Sequence, residues 1–180
     1  MKGRISPRDL AYCGLFGAAA LLLPVLFHLV HLGHAFMPMY LPLVALGFFV
    51  RPAPAAVTGV LTPLLSGALT GMPPFYPPIA PSMAIELGLM VGLIALVKQR
   101  WPRINDWIVL LPALLLGRAV YVGLVYAFSL FIHLPAPFMA GLSLLSGWPG
   151  LILMAIVVPI VARVGRSVVR SPAAQEGKTP

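Results

Sequence analysis

The chain has few charged residues and a single cysteine. Only 9% of its 180 residues are charged, against roughly 25% in soluble domains, and 60% are hydrophobic. A fold in water could not bury that much apolar surface, so the composition excludes a soluble globular domain. With Cys13 alone, the chain can form neither an intramolecular disulfide nor a cysteine-based metal site.

The sequence also lacks the common catalytic motifs. It contains no Walker P-loop, no Gly-x-Ser-x-Gly elbow, no His-Glu-x-x-His motif and no adjacent pair of glutamates. No nucleophile stands beside a base that would activate it. We therefore expect a protein that is not an enzyme and that needs no cofactor of its own, and any ATP must be hydrolysed by another subunit.

Long apolar segments make up most of the chain. Cutting the hydrophobic runs at charges and proline clusters predicts six membrane spans of the all-α class, near residues 10–32, 36–50, 53–69, 80–97, 107–132 and 148–164. The loops are too short for an extramembrane domain. We expect one transmembrane domain over residues 1–170, followed by a polar, disordered tail over residues 171–180.

The positions of the cations predict the orientation of the spans. With six spans, every Lys and Arg except Arg118 falls on one side of the membrane: Lys2, Arg4, Arg8, Arg51, Lys98, Arg100, Arg103, Arg163, Arg166, Arg170 and Lys178. The loops on the other side, residues 31–35, 71–81 and 133–147, contain none. By the positive-inside rule, we expect both termini in the cytoplasm and a multi-pass protein of the inner, cytoplasmic membrane.

Two charged residues lie well inside apolar runs, where an unpaired charge costs several kcal/mol. Glu86 lies about 9 Å below the outer start of its span, and Arg118 lies about 16 Å above the inner start of the next span. In a core of about 30 Å, their depths differ by only about 5 Å. Glu86 and Arg118 can therefore form an ion pair, either as a structural tie or as part of a polar ligand pocket.

Histidines and aromatic residues gather near the outer side. His28, His31 and His34 recur every three residues, but no carboxylate or cysteine accompanies them, which favours hydrogen bonding at the mouth of a pocket over metal ligation. An interfacial aromatic belt accounts for most outer aromatics, among them Tyr40 and Trp148. Tyr76 differs because it stands between two Pro-Pro pairs, on a loop that could cover an outward cavity.

Small residues at a spacing of four mark faces where helices approach closely. Gly67 and Gly71 in the third span, and Gly88 and Gly92 in the fourth, favour packing within the bundle. Gly14 and Ala18 in the first span could instead face another subunit.

In their order and spacing, several short motifs resemble the substrate-binding S components of energy-coupling factor (ECF) transporters, near the group that carries pantothenate and other vitamins. The resemblance covers most of the chain and is carried by His34-Ala-Phe-Met-Pro-Met-Tyr-Leu-Pro42, Gly59 with Pro63-Leu-Leu-Ser66, Thr70-Gly-Met-Pro-Pro74, Glu86-Leu-Gly, Gly117-Arg118 and Gly147-Trp-Pro-Gly150. It implies a six-helix bundle that binds a vitamin or similar small molecule from outside, with the outer loops as walls and lid.

The same resemblance implies partners and site residues. The expected partners are a transmembrane coupling subunit, which would contact Gly14 and Ala18, and two cytoplasmic ATPases. The chain itself would lie in the lipid bilayer and would bind no nucleic acid. The residues expected to contact the substrate are His34, Tyr40, Thr70, Tyr76, Glu86, Arg118 and Trp148. A carboxylate-bearing ligand would suit Arg118 and an amine-bearing ligand would suit Glu86, so the substrate itself stays open.

Two other functions remain as alternatives. The chain could be an assembly or regulatory subunit that transports nothing, in which case only the Gly14 face would matter. It could also be an intramembrane enzyme that uses Glu86 or an outer histidine as general base.

Overall fold

The described part of the chain is built from helices. The computed structural model describes residues 6–29, 38–132 and 148–170, and within these ranges it contains no strand. The helices are α1 Pro7–Leu29, α2 Tyr40–Leu46, α3 Pro52–Thr70, α4 Ile79–Arg100, α5 Asp106–Phe131 and α6 Trp148–Arg170. The expected all-helical class is confirmed. The expected tail, residues 171–180, lies outside the described residues.

Five of these helices are long and apolar enough to cross a membrane: α1, α3, α4, α5 and α6. The sequence predicted one helix near residues 36–50, and this prediction is wrong, because only residues 40–46 of the described range 38–50 are helical. In its described part, α2 has seven residues, about 10 Å of helix, against a bilayer core of about 30 Å. After Leu46 the backbone forms turns over residues 47–49, and it is extended at Arg51, the residue before Pro52.

The short helix α2 lies in the centre of the bundle. It packs against α1, α4 and α6. Six of its seven residues are buried, and Leu43 and Leu46 are fully inaccessible. An apolar helix that is buried on all sides contributes to the core rather than to the lipid-facing surface. This central position brings the first residue of α2, Tyr40, into contact with other helices.

Helices α1 and α3 run parallel to each other. A side-chain oxygen of Asp9 accepts from Arg51 at 2.7 Å, Cys13 Sγ donates to the carbonyl oxygen of Pro54 at 3.7 Å, and a Cβ built on Gly17 would lie 3.6 Å from Thr58 Cγ2. These three contacts follow the same order along α1 and α3, so the two helices run in the same direction. The chain that joins the end of α1 to the start of α3 therefore has to run back along the bundle. The described part of this connection contains α2.

One end of the bundle, here called the basic end, collects ion pairs. It is defined by Asp9 with Arg51, and by Asp106 with Lys98 at 2.9 Å and with Arg166. Phe49 joins the two groups, since its ring stacks on Tyr12 at 5.7 Å and lies against Gly165 of α6. The start of α1 and the end of α6 therefore lie at the same end of the bundle.

Glycines allow α3 and α4 to pack very closely. A Cβ on Gly59 would lie 2.8 Å from the carbonyl oxygen of Leu87, and a Cβ on Gly92 would lie 3.0 Å from Ala56 Cβ. Gly88 contacts Val60 in the same interface. The prediction that the small residues of the fourth span pack within the chain is confirmed. Gly71 has another role, because its positive φ of 73° ends α3.

Candidate functional site

Four polar side chains meet inside the apolar bundle: Tyr40 of α2, Glu86 of α4, and Arg118 and Tyr121 of α5. We call them the polar cluster. Tyr40 is 5% exposed, Glu86 2% and Tyr121 4%, whereas Arg118 is half-buried. The surrounding residues are mostly aliphatic, so the cluster is a local polar site within a nonpolar core.

Tyr40 and Glu86 form the centre of the cluster. The phenolic hydroxyl of Tyr40 donates a hydrogen bond to Oε2 of Glu86. Burial of a carboxylate is costly unless donors surround it, and this hydrogen bond offsets part of that cost. Glu86 lies seven residues after the start of α4, about 10 Å along a helix of about 33 Å. The cluster is therefore on the half of the bundle away from the basic end.

Arg118 supplies the positive charge of the cluster. Its guanidinium lies 5.4 Å from the centroid of the Tyr121 ring, one helical turn further along α5. It also interacts electrostatically with Glu86. The two charges are therefore near enough to influence each other, and the ion pair between them stays a prediction. A carboxylate beside a guanidinium lowers the cost of holding either charge in the membrane.

Gly117 explains how α5 comes so close to α4 at this level. A Cβ at this position would lie 2.9 Å from Met90 Sδ and 3.5 Å from Glu86 Cγ. A side chain larger than a methyl group would enter the space that Met90 and Glu86 now occupy. The Gly117-Arg118 pair thus combines close helix packing with a charged side chain.

The loop between α3 and α4 is folded back onto the end of α3. Ser66 Oγ donates to the carbonyl oxygen of Met72 at 2.6 Å, and Thr70 Oγ1 donates to the carbonyl oxygens of Ser66 at 2.8 Å and Met72 at 3.1 Å. Thr70 therefore holds this loop, and its hydrogen bonds are not to the polar cluster. Tyr76, on the same loop, is 68% exposed, and its contact with a ligand stays a prediction.

Two other predicted substrate residues cannot be placed at the site. His34 lies outside the described residues. Trp148 begins α6, but its side chain is outside the described part.

The two residues expected to face a partner subunit lie on the outside of the bundle. Gly14 and Ala18 are exposed, and a Cβ on Gly14 would meet nothing within 4 Å. Leu15 and Leu22 of the same helix are also more than 60% exposed. Helix α1 is thus peripheral and presents a broad apolar face to its surroundings.

Sequence reasoning did not identify Tyr121 or the ion pairs of Asp9 and Asp106. Tyr121 had a usable signal, because it follows Arg118 by three residues and therefore shares its helical face. The two aspartates stand at helix starts, where a carboxylate is ordinary, so their pairing partners appear only in the tertiary structure.

The polar cluster combines charges of both signs with hydroxyl groups. It offers one carboxylate, one guanidinium and two phenols. Within the described residues, no group of three or more His, Cys, Asp or Glu is placed to hold a metal ion. These groups suit charge-assisted hydrogen bonds to a small polar solute.

The fold and the cluster together define a class: a multi-pass helical membrane protein with a buried polar site. No family model, no curated protein and no solved structure matches the chain. The more specific assignment therefore depends on the site and on the motifs of the sequence.

Proposed function

We propose that this protein is the substrate-binding S component of an ECF-type importer, which takes a vitamin or similar small molecule from outside the cell. The observation that supports this most is the meeting of Tyr40, Glu86 and Arg118. Three segments far apart in sequence converge there on a charged site within an otherwise apolar bundle. A protein that only anchors others has no need to keep two charges at such depth.

The orientation follows from the charge distribution. In this proposal, the basic end faces the cytoplasm and the polar cluster lies in the outer half of the membrane. The loop between α3 and α4 then lies on the outer side, with Tyr76 exposed on it. A solute arriving from outside would reach the cluster without crossing the basic end.

The partners come with the proposal. A transmembrane coupling subunit would pack on the exposed face of α1 around Gly14 and Ala18, where small residues permit a close approach of a foreign helix. Two cytoplasmic ATPases would supply the energy, since this chain has no phosphate-binding loop of its own. The membrane is the inner, cytoplasmic membrane of the cell.

The chemistry of the cluster favours a ligand with an anionic group. Glu86 already accepts a hydrogen bond from Tyr40, and a second carboxylate would be matched in shape and charge by the planar guanidinium of Arg118. A carboxylate on the solute could therefore form a bidentate contact with Arg118. The phenols of Tyr40 and Tyr121 would then contact its neutral part.

Mass spectrometry of small molecules released from the detergent-purified protein tests this function. We expect one vitamin-like compound at close to one equivalent. Arg118→Ala and Glu86→Ala should lower its affinity by more than tenfold while the protein stays folded. Arg8→Ala is the matched control, because it removes an exposed cation at the basic end.

The alternatives give different results in the same preparation. An empty protein that fails to bind a vitamin panel in a thermal-shift screen, but loses complex formation on Gly14→Leu, would indicate an assembly or regulatory subunit. Turnover of a lipid-soluble compound by the isolated chain, abolished by Glu86→Gln, would indicate an intramembrane enzyme.

A further inference from the structure

A second polar network holds the loop between α4 and α5 in place at the basic end. Lys98 Nζ donates to the carbonyl oxygens of Pro102 at 3.2 Å and Ile104 at 2.9 Å, and it pairs with Asp106 at 2.9 Å. Asn105 Oδ1 accepts from the backbone N–H of Trp107 at 3.1 Å and caps α5. The loop is therefore fixed at both ends before any ligand arrives.

This fixed loop presents two arginines and a tryptophan outward. Arg100 and Arg103 are exposed, Trp101 is 59% exposed, and the three line a shallow, open depression with Pro102 and Ile104. Within the described residues, neither arginine has an ion-pair partner, and the nearby carboxylate of Asp106 pairs with Lys98 and Arg166. The two guanidinium groups are available to an external anion.

Cations at this end greatly outnumber carboxylates. Among the described residues, the carboxylates are Asp9 and Asp106, and the cations are Arg8, Arg51, Lys98, Arg100, Arg103, Arg163 and Arg166. Arg166 also keeps Nη1 buried without a hydrogen-bond partner in the described part of the chain. Donors at the basic end therefore exceed the acceptors that the described residues supply.

The position of the loop indicates where such an anion would come from. It follows the last residue of α4, a membrane-spanning helix, and therefore lies at the depth of lipid headgroups. Tryptophan prefers this interfacial depth, and arginine matches phosphate oxygens in a bidentate geometry. We propose that Arg100, Trp101 and Arg103 form a binding site for the phosphate of an anionic phospholipid headgroup.

Each arginine should contribute about fivefold to lipid affinity, the equivalent of about 1 kcal/mol per basic residue near an anionic surface. Trp101 adds apolar contact with the glycerol and upper acyl region. The loop loses little conformational entropy when it binds a lipid, because Lys98 already fixes its backbone. The site does not depend on solute binding at the polar cluster, so either proposal can fail without the other.

The test measures retention of lipid by native mass spectrometry and thermal stability in nanodiscs. The discs contain either phosphatidylcholine alone or equal parts of phosphatidylcholine and phosphatidylglycerol. We expect the wild-type protein to retain phosphatidylglycerol and to melt at a higher temperature in the anionic discs. Arg100→Gln and Arg103→Gln should each lower retention about fivefold. Adding Trp101→Ala to either of these variants should lower retention further.

The control is Arg8→Gln, which removes one exposed cation of the same end but leaves the loop intact. It should retain phosphatidylglycerol like the wild type. The charge-conserving Arg100→Lys with Arg103→Lys should recover part of the retention. If Arg8→Gln and Arg103→Gln lost equal amounts of phosphatidylglycerol, lipid binding would depend on general surface charge, and the proposed site would be overturned. Full stabilisation by inorganic phosphate in phosphatidylcholine discs would overturn the lipid as its ligand.

Discussion

The hydroxyl of Tyr40 donates a hydrogen bond to the carboxylate of Glu86, and the two residues are 46 positions apart in the chain. Through this contact, the first residue of α2 is joined to the half of α4 that lies away from the basic end. The contact links the central helix to the polar cluster. A substitution of either residue should therefore change how much the other contributes to the stability of the protein.

A double-mutant cycle measures this link. Tyr40→Phe leaves a buried carboxylate without its donor and should destabilise the protein by about 1–3 kcal/mol. Glu86→Gln should cost a similar amount, and the double variant should cost less than the sum of the two. The stability of each variant is read from unfolding in detergent. Tyr126→Phe, an exposed tyrosine of α5, is the control and should have no effect. Additive losses would show that the two side chains do not interact.

Ligand affinity should depend on the planar shape of the Arg118 guanidinium as well as on its charge. Arg118→Lys keeps the charge but loses the flat contact with the Tyr121 ring and the fork of donors, so ligand affinity should fall about tenfold. Tyr121→Phe keeps the ring and should change affinity less than threefold. Isothermal titration with the copurified compound provides the measurement. Equal affinity of Arg118→Lys and the wild type would mean that only charge is needed.

The close packing of α3 on α4 should make Gly59 intolerant of a methyl group. In Gly59→Ala the new Cβ would meet a backbone oxygen at 2.8 Å, which cannot move without shifting a helix, so we expect a loss of about 1–3 kcal/mol. Gly14→Ala is the matched control, since it also lies in a helix but has open space around it. Its stability should be unchanged or slightly higher. Melting curves of the isolated chain compare the two, and similar losses in both would argue against the close contact.

Asp106 should contribute more to stability than Asp9. Asp106→Asn removes the shared carboxylate of Lys98 and Arg166, whereas Asp9→Asn removes that of Arg51 alone. Breaking a buried pair costs about 3–5 kcal/mol, and because Arg166 is about one-third exposed, we expect about 3 kcal/mol for Asp106→Asn. Among the described residues, Asp9 has a single cation partner, Arg51, which is about one-third exposed, and it lacks a buried second partner such as Lys98, so Asp9→Asn should cost about 1 kcal/mol. Thermal unfolding of both variants in one detergent ranks them, and the reverse order would contradict the shared pairing.

Cysteine labelling tests the orientation and the number of passes. In a Cys13→Ser background, Met72→Cys should react with an impermeant maleimide added outside intact cells, because Met72 lies on the cation-free loop. Ala53→Cys and Gln99→Cys lie at the basic end and should react only after permeabilisation. Labelling of Ala53→Cys from outside would contradict the return of the chain between α1 and α3.

The sequence alone determined the helical membrane class and most helix boundaries. Apolar runs of about 20 residues favour helices, because a helix forms all of its backbone hydrogen bonds within one segment and so leaves none unmade inside a bilayer. The isolated charges at Glu86 and Arg118 also pointed to the site, since a buried charge in an apolar run demands a partner.

Only the tertiary structure decided how these segments combine. The shortness of α2, its central position and the contact of Tyr40 with Glu86 depend on how the chain returns between α1 and α3, and a hydrophobic run does not encode that path. The pairs of Asp9 with Arg51 and of Asp106 with Arg166 were hidden for the same reason. Each joins residues at least 42 positions apart, and side chains so distant in sequence meet only when their helices pack.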